Sequence, residues 1–257
     1  MLARAYLRAN REQADLLSFN RVGTASTFDP DFVGPRHRLR ESLLLRLLLS
    51  GRPGPTLLNV GAGQGTFSQL LEARGFVVTS VDPSPKAVEL LQGRVRGPVL
   101  TAAAEALPFE DASFDGAVLG EVLEHVEDDL AGLREVARTV RPAFVIAISV
   151  PANPAWFGPS DEWAGHHRRY TRTGLLALIA DAGLEVERLR PWGFPVSSLY
   201  HRHIYEPRLT SQGPASPTRS QRPAVAVLSA ALQIDRLFVG VERGALGYLA
   251  LARSPRV

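Results

Sequence analysis

Apolar residues recur at two different periods along this chain. Between 36 and 50, Leu39, Leu43, Leu44 and Leu47 fall three or four positions apart, the spacing that gathers side chains on one helix face. A further helix is read over 3–17, with a loop from Gly23 to Pro35 between the two. Gly51-Arg52-Pro53-Gly54-Pro55 ends the helical pattern. From there short apolar runs alternate with helical stretches. Strands are expected near 56–61, 76–81, 97–102, 114–120 and 143–150, and helices near 65–74, 84–93, 128–140 and 171–182. Such alternation predicts a parallel sheet covered by helices on both faces. Leu184 to Leu189 reads as a sixth strand and 244–253 as a last one. Between them the rhythm breaks. Ser211 to Pro223 is rich in Pro, Ser, Gln and Arg and reads as a loop, and an apolar helix near 225–239 follows. The chain thus divides into an N-terminal helical segment (1–54), an α/β core (55–194), an insertion or substrate cap (195–243) and a closing strand (244–257).

The first strand runs straight into glycines. Leu57-Leu58-Asn59-Val60 is followed by Gly61-Ala62-Gly63-Gln64-Gly65-Thr66, and the second strand ends at Val81-Asp82-Pro83-Ser84. A glycine turn between a strand and a helix lets backbone approach a ligand where a Cβ would otherwise stand. An acid roughly twenty residues beyond the first glycine is placed to accept hydrogen bonds from ribose hydroxyls. This unit binds an adenosine-bearing cofactor, and both NAD and S-adenosylmethionine carry one. The dinucleotide fingerprint needs a glycine where Thr66 stands. The turn G-x-G-x-G suits a cofactor with no pyrophosphate to seat on the helix N-terminus.

Composition narrows the chemistry. The 257 residues contain no cysteine, which excludes disulfides, thiolate metal sites and cysteine nucleophiles. Composition leaves open a zinc site held only by His and carboxylates, but the six histidines are scattered along the chain with no ligand spacing, so no metal site is expected. Lys86 is the only lysine, and any mechanism that needs a deprotonated lysine must use it. Residues 55–150 hold 7 basic and 13 acidic side chains between basic flanks. An acidic core of this kind suits a cationic cofactor and does not resemble a nucleic-acid groove. No apolar run approaches the ~20 residues of a transmembrane helix, and the arginine-bearing N-terminus lacks a signal-peptide core. A cytoplasmic location is the expectation, with the oligomeric state open.

Two more segments carry a resemblance. One is Ala104-Glu105-Ala106-Leu107-Pro108-Phe109-Glu110-Asp111. The other is Gly120-Glu121-Val122-Leu123-Glu124-His125-Val126, with Leu133-Arg134-Glu135-Val136-Ala137-Arg138 behind it. With the glycine turn, in this order over about 56–150, they resemble the class I S-adenosylmethionine-dependent methyltransferases, in the branch with small-molecule and lipid substrates. Val150-Pro151-Ala152, Asp161 and Gly165-His166-His167-Arg168-Arg169-Tyr170 extend the likeness to a bacterial subgroup of unassigned substrate. The resemblance implies an α/β, doubly wound, Rossmann-like sheet of seven strands with the last antiparallel. N-terminal helices would precede it and an insertion would stand before the last strand.

Position by position, it implies that Gly61, Ala62 and Gly63 pass against the methionine and ribose of S-adenosylmethionine. Asp82, followed by Pro83, would bind the ribose hydroxyls. Ala104 and Glu105 would lie beside the adenine, and Glu121 would border the methionine end. The family usually has an acid where Asn59 stands, near the cofactor ammonium, and often an aspartate where Ala103 stands. A general base for a hydroxyl or amine acceptor would come from His125, His166 or His167, with Asp161 orienting it and Tyr170 beside them. Glu121 and His125, four apart, are read as sharing one helical face. The expected acceptor is a small molecule, lipid or saccharide; nucleic acid is disfavoured, because no Asn/Asp-Pro-Pro-Tyr motif follows the fourth strand. The alternatives are a cofactor-binding regulator without catalysis, suggested by Asn59 and Ala103, and an NAD-dependent oxidoreductase.

Overall fold

The computed structural model describes residues 34–212 and 222–255. The helix expected over 3–17 and most of the loop 23–35 lie outside the described residues, as do 213–221 of the polar stretch. Seven strands form one sheet: β1 (Thr56–Val60), β2 (Val77–Asp82), β3 (Val99–Thr101), β4 (Ala117–Gly120), β5 (Val145–Pro151), β6 (Glu185–Trp192) and β7 (Gly247–Arg253). Their order is β3-β2-β1-β4-β5-β7-β6. The pairs among β1 to β5 are parallel, and β7 is antiparallel to both β5 and β6. The expected fold class holds, including the antiparallel last strand.

β1, β4 and β5 read as continuous apolar runs because both faces of the sheet are covered. On one face lie α1 (Pro35–Ser50), α2 (Thr66–Glu72) and α9 (Arg222–Leu232). Leu39, Leu44, Leu48, Phe67, Leu71 and Leu232 join Leu57, Val118 and Val145 there. On the other face α4 (Asp129–Thr139) and α6 (Arg172–Asp181) bring Leu133, Val136, Leu175 and Ile179 against Leu58, Leu119 and Ile148. The remaining helices are α3 (Pro85–Gln92), α5 (Pro159–Ala164), α7 (Val196–Tyr200) and α8 (Glu206–Gln212). α1 packs directly on β4, β5 and β7, so this part of the N-terminal segment is a layer of the core rather than an appendage. Its stripe of leucines is apolar enough to be buried at Leu43, Leu44, Leu45, Leu47 and Leu48 together.

Asp115 fastens the two central strands at their entrance. Its Oδ2 accepts from the Thr56 amide at 3.1 Å and the Thr56 hydroxyl at 2.6 Å, and its Oδ1 pairs with Arg141. Burial alone would raise its pKa, but the Thr56 bonds and the Arg141 charge hold it below the usual aspartate value. A carboxyl depressed in the folded state stabilises above its unfolded pKa and loses that contribution as the pH falls through the folded value. Asp115→Asn is therefore expected to be less stable than the parent by about 1–2 kcal/mol near neutrality. Urea melts at stepped pH should show the gap closing below about pH 4; a gap independent of pH contradicts the assignment.

The insertion is tied to the loop after β5, at the carboxyl edge of the sheet. The Arg202 guanidinium lies 4.8 Å from the Trp156 ring centroid. Glu206 accepts from the Ser160 amide at 3.2 Å. Asp235 accepts from the Val196 and Ser197 amides at 2.7 and 2.8 Å, fixing the start of α7. Ligands of open α/β sheets bind at this edge.

Candidate active site

The glycine turn is built as the spacing demands. Gly61, Gly63 and Gly65 have φ of +63°, +53° and +84°, a region that L side chains rarely enter. A Cβ on Gly61 would stand 2.6 Å from Val122 Cγ2, so the turn after β1 lies directly against the segment leaving β4. A Cβ on Gly63 would meet nothing within 4 Å. That glycine is conformational on one side and opens onto free space on the other. Asp82 braces the turn: its Oδ2 accepts from the Gly63 amide at 2.8 Å and its Oδ1 from the Ser84 amide at 2.9 Å. Burial raises the Asp82 pKa, and the two backbone bonds work against the rise. Each carboxylate oxygen keeps a lone pair for a further donor. Pro83 follows half-buried, and Ser84 caps α3 through the Ala87 amide at 3.4 Å.

Asn59 lies one layer behind the turn. Its Nδ2 donates to Ser68 Oγ at 2.8 Å, and Ser68 and Ser80 are hydrogen-bonded at 2.8 Å. The buried side chain joins β1, α2 and β2 without contributing charge. Ala104 is buried and Glu105 half-buried beyond β3; burial, then the charges of Asp128 and Glu127, raise the Glu105 pKa.

At the end of β4 the structure corrects the sequence reading. Glu121 and His125 do not share a helical face. Glu121 is not helical: its φ is +59°, and only Leu123–His125 forms a 3-10 turn. The chain is bent because the Glu121 amide donates to the Ser149 carbonyl and hydroxyl at 3.0 and 3.1 Å, continuing the β4–β5 ladder past Gly120. Ser149 Oγ in turn donates to Glu121 Oε1 at 2.9 Å, and Arg40 Nη1 of α1 lies 3.3 Å from Glu121 Oε2. A non-glycine residue forced to positive φ beside a ligand turn is a feature of functional sites.

The bend delivers Glu124 to the interior. It has no solvent exposure, and neither carboxylate oxygen has a hydrogen-bond partner among the described residues. Burial, and then the Glu121 charge, push its pKa well above the usual value. The His125 and His166 rings meet edge to face with centroids 4.6 Å apart. Burial and then His166 push His125 down to about 3, so its imidazole is neutral. His166 Nδ1 donates to Asp161 Oδ1 at 2.7 Å, which turns Nε2 towards Glu124 Oε1, 4.0 Å away.

Asp161 is the hub of this region. It is fully buried and also accepts from Arg169 Nε at 2.8 and 2.9 Å and from the Gly158 amide at 3.0 Å. Burial would raise its pKa, and His166 with Arg169 hold it low instead. Arg169 Nη2 lies 3.3 Å from His201 Nε2, and His201 Nδ1 accepts from Arg36 of α1 at 2.7 Å. Burial and then the Arg36 and Arg169 charges push His201 down to about 3. The Arg36 guanidinium stands 4.4 Å from the Tyr205 ring centroid. One polar chain therefore runs from α1 through the insertion to the loop after β5.

The structure brings together Glu121, His125, Asp161 and His166. It separates His167 and Tyr170 from them. The His167 side chain is exposed, and only its amide reaches the cluster, donating to the Glu124 carbonyl at 2.7 Å. Tyr170 is buried in the core and donates its hydroxyl to Asp129 Oδ2 at 2.8 Å, a tie to the start of α4. Burial and Asp129 raise its pKa beyond any acid–base use near neutrality. Sequence reasoning did not single out Arg36, Arg40, Glu124 or His201. For Glu124 a signal existed, an acid inside an apolar run next to His125. For Arg36, Arg40 and His201 none did, because their partners lie far away along the chain.

Residues 58–148 match the family model for a methyltransferase domain. Demethylmenaquinone methyltransferase of Beutenbergia cavernae is 36% identical over 135 residues, covering 51% of this chain and 55% of that protein. The chain spans about half the length of the curated relatives it matches. Among solved structures, the cyclase SpnF superposes with a TM-score of 0.59 at 20% identity, over 86% of this chain and 81% of that one. The 1,6-didemethyltoxoflavin-N1-methyltransferase of Burkholderia thailandensis, solved with S-adenosylhomocysteine, gives 0.52 at 21% identity over 85% and 77%. Over residues 58–148 the chain is thus similar to methyltransferase domains, carried on a Rossmann-like seven-stranded sheet with its last strand antiparallel.

Proposed function

We propose that the protein transfers a methyl group from S-adenosylmethionine to a small-molecule, lipid or saccharide acceptor. One observation carries the reading: an open glycine turn with Asp82 on one side and, across Val122, a buried Glu–His cluster on the other. The donor set fits the cofactor. Asp82 has acceptor capacity for ribose hydroxyls, Gly63 leaves space for the ligand, and Ala104 and Glu105 would lie beside the adenine beyond β3. When bound, S-adenosylmethionine supplies an activated methyl carbon, so the protein's task is positioning. His166, oriented by Asp161 through Nδ1, is the candidate acceptor for the substrate's proton; His125, pushed down to about 3 by burial and His166, is too weak a base for that step near neutrality. The relative named for demethylmenaquinone supports a small apolar acceptor. Among the described residues no helix is long and apolar enough to cross a membrane.

The test is a thermal-shift comparison of S-adenosylhomocysteine with NADH. The first at 100 times its Kd should stabilise the fold by about 2.7 kcal/mol, and NADH should do nothing. A shift with NADH alone rejects the reading in favour of an oxidoreductase. The uncharged Asn59 favours a second reading, a binding protein without catalysis. It gains if the cofactor binds yet no extract component takes up a labelled methyl group.

A further inference from the structure

The histidines that look scattered in sequence are not scattered in space. One ligand atom each from Glu124, His125 and His166 lie within 4.8 Å of one another. Ions held at about 2.0–2.2 Å need their ligands about 3–3.5 Å apart, so modest side-chain rotation closes the set. The independent observation is Glu124 itself. A fully buried carboxylate with two oxygens lacking a hydrogen-bond donor is rare in native proteins, and an ion is one of the few things that satisfies it.

The surroundings are those of a ligand set. Metal-binding imidazoles commonly donate their other ring N–H to a carboxylate or a backbone carbonyl, which fixes tautomer and orientation. His166 does so to Asp161, itself held by Arg169 and the Gly158 amide. His166 Nε2 is left facing Glu124 Oε1, 4.0 Å away. Glu121, held by Arg40 and Ser149, adds negative charge beside Glu124 without offering it a proton.

We propose that Glu124, His125 and His166 bind one divalent first-row transition-metal ion at the end of β4. Two imidazoles and one carboxylate favour Mn, Fe, Co or Zn over calcium and magnesium, which prefer oxygen ligands. Three protein ligands leave positions for water or for an oxygen of the acceptor. The ion would occupy the lone pairs that a proton-accepting histidine needs, so the two uses are exclusive and one experiment separates them.

The full chain is stripped with chelator and titrated with MnCl2 or ZnCl2, without cofactor or acceptor. The outcome is therefore independent of methyl transfer. One ion per chain is expected, with a rise in melting midpoint and little response to MgCl2. Glu124→Gln and His166→Ala should each weaken binding about 100-fold or more, since loss of an outer partner alone weakens such sites 10–100-fold. His167→Ala, an exposed neighbour, should bind as the parent does. Should either ligand variant fail to fold, electron spin echo on the Mn-loaded parent decides, with coupling to two imidazole nitrogens expected. Binding that is absent, unchanged in the folded variants, or free of nitrogen coupling overturns the site and leaves His166 as the proton acceptor.

Discussion

Asp161→Ala is expected to destabilise the fold by about 3–5 kcal/mol, the loss measured when one partner of a buried ion pair is removed. The Arg169 side chain is 3% exposed and the Asp161 side chain 0%. Without the carboxylate, the guanidinium keeps only the uncharged Ala152 carbonyl at 3.3 Å, because neutral His201, whose Nδ1 accepts from Arg36, carries its proton on Nε2 and cannot accept from Arg169 as well. The Gly158 amide and His166 Nδ1 lose their acceptor too. Domains are stable by roughly 5–15 kcal/mol, so the variant should be close to unfolding in mild urea. Asp161→Asn retains an oxygen without the charge and should fall between. The double change Asp161→Leu with Arg169→Met should recover much of the loss, because a packed apolar pair leaves no charge stranded. Denaturant melts of the four proteins give the answer. A loss below about 1 kcal/mol for Asp161→Ala means that solvent reaches Arg169 and that the pair is not buried in solution.

Local pattern and long-range contact divide what the sequence tells of this site. The strand–turn–helix at 56–72 and the acid at Asp82 are legible because period, glycine conformation and spacing act within about thirty residues. The same is true of α4, whose start is capped by Asp128 through the Ala131 amide at 2.9 Å. Glu121 departs from the helical pattern of its neighbours because its conformation is set across the sheet by Ser149, 28 residues away. Tyr170 was grouped with the histidines on adjacency. Its backbone bridges Ala152, which turns the ring into the core instead of towards His166. Arg36 and Arg40 look like the solvated edge of a leucine helix. Only once α1 is laid on β4 and β5 do they meet His201, 165 residues on, and Glu121. The fold hosts other chemistry, a cyclase among its structural neighbours, so the function rests on these residues and not on the sheet.

Asp82→Ala should weaken S-adenosylhomocysteine binding by about 1.5–3 kcal/mol, roughly 10- to 150-fold, because hydrogen bonds to a charged group contribute on that scale. Two effects are mixed in that number. The carboxylate would accept from the ribose, and it also holds the Gly63 and Ser84 amides that shape the turn. A double cycle separates them. Calorimetry on the parent and on Asp82→Ala, each with S-adenosylhomocysteine and its 2′,3′-dideoxy analogue, isolates the contact between carboxylate and hydroxyls. If Asp82 holds the ribose, the parent discriminates between the two ligands and the variant does not. If Asp82 only braces the turn, both proteins lose the same amount on going to the dideoxy ligand. Asp82→Asn refines the comparison, since its amide keeps one acceptor oxygen and can preserve one backbone bond. Its affinity should lie between those of parent and alanine variant. Equal affinity of the parent for both ligands removes Asp82 from the cofactor site and leaves it as a structural brace.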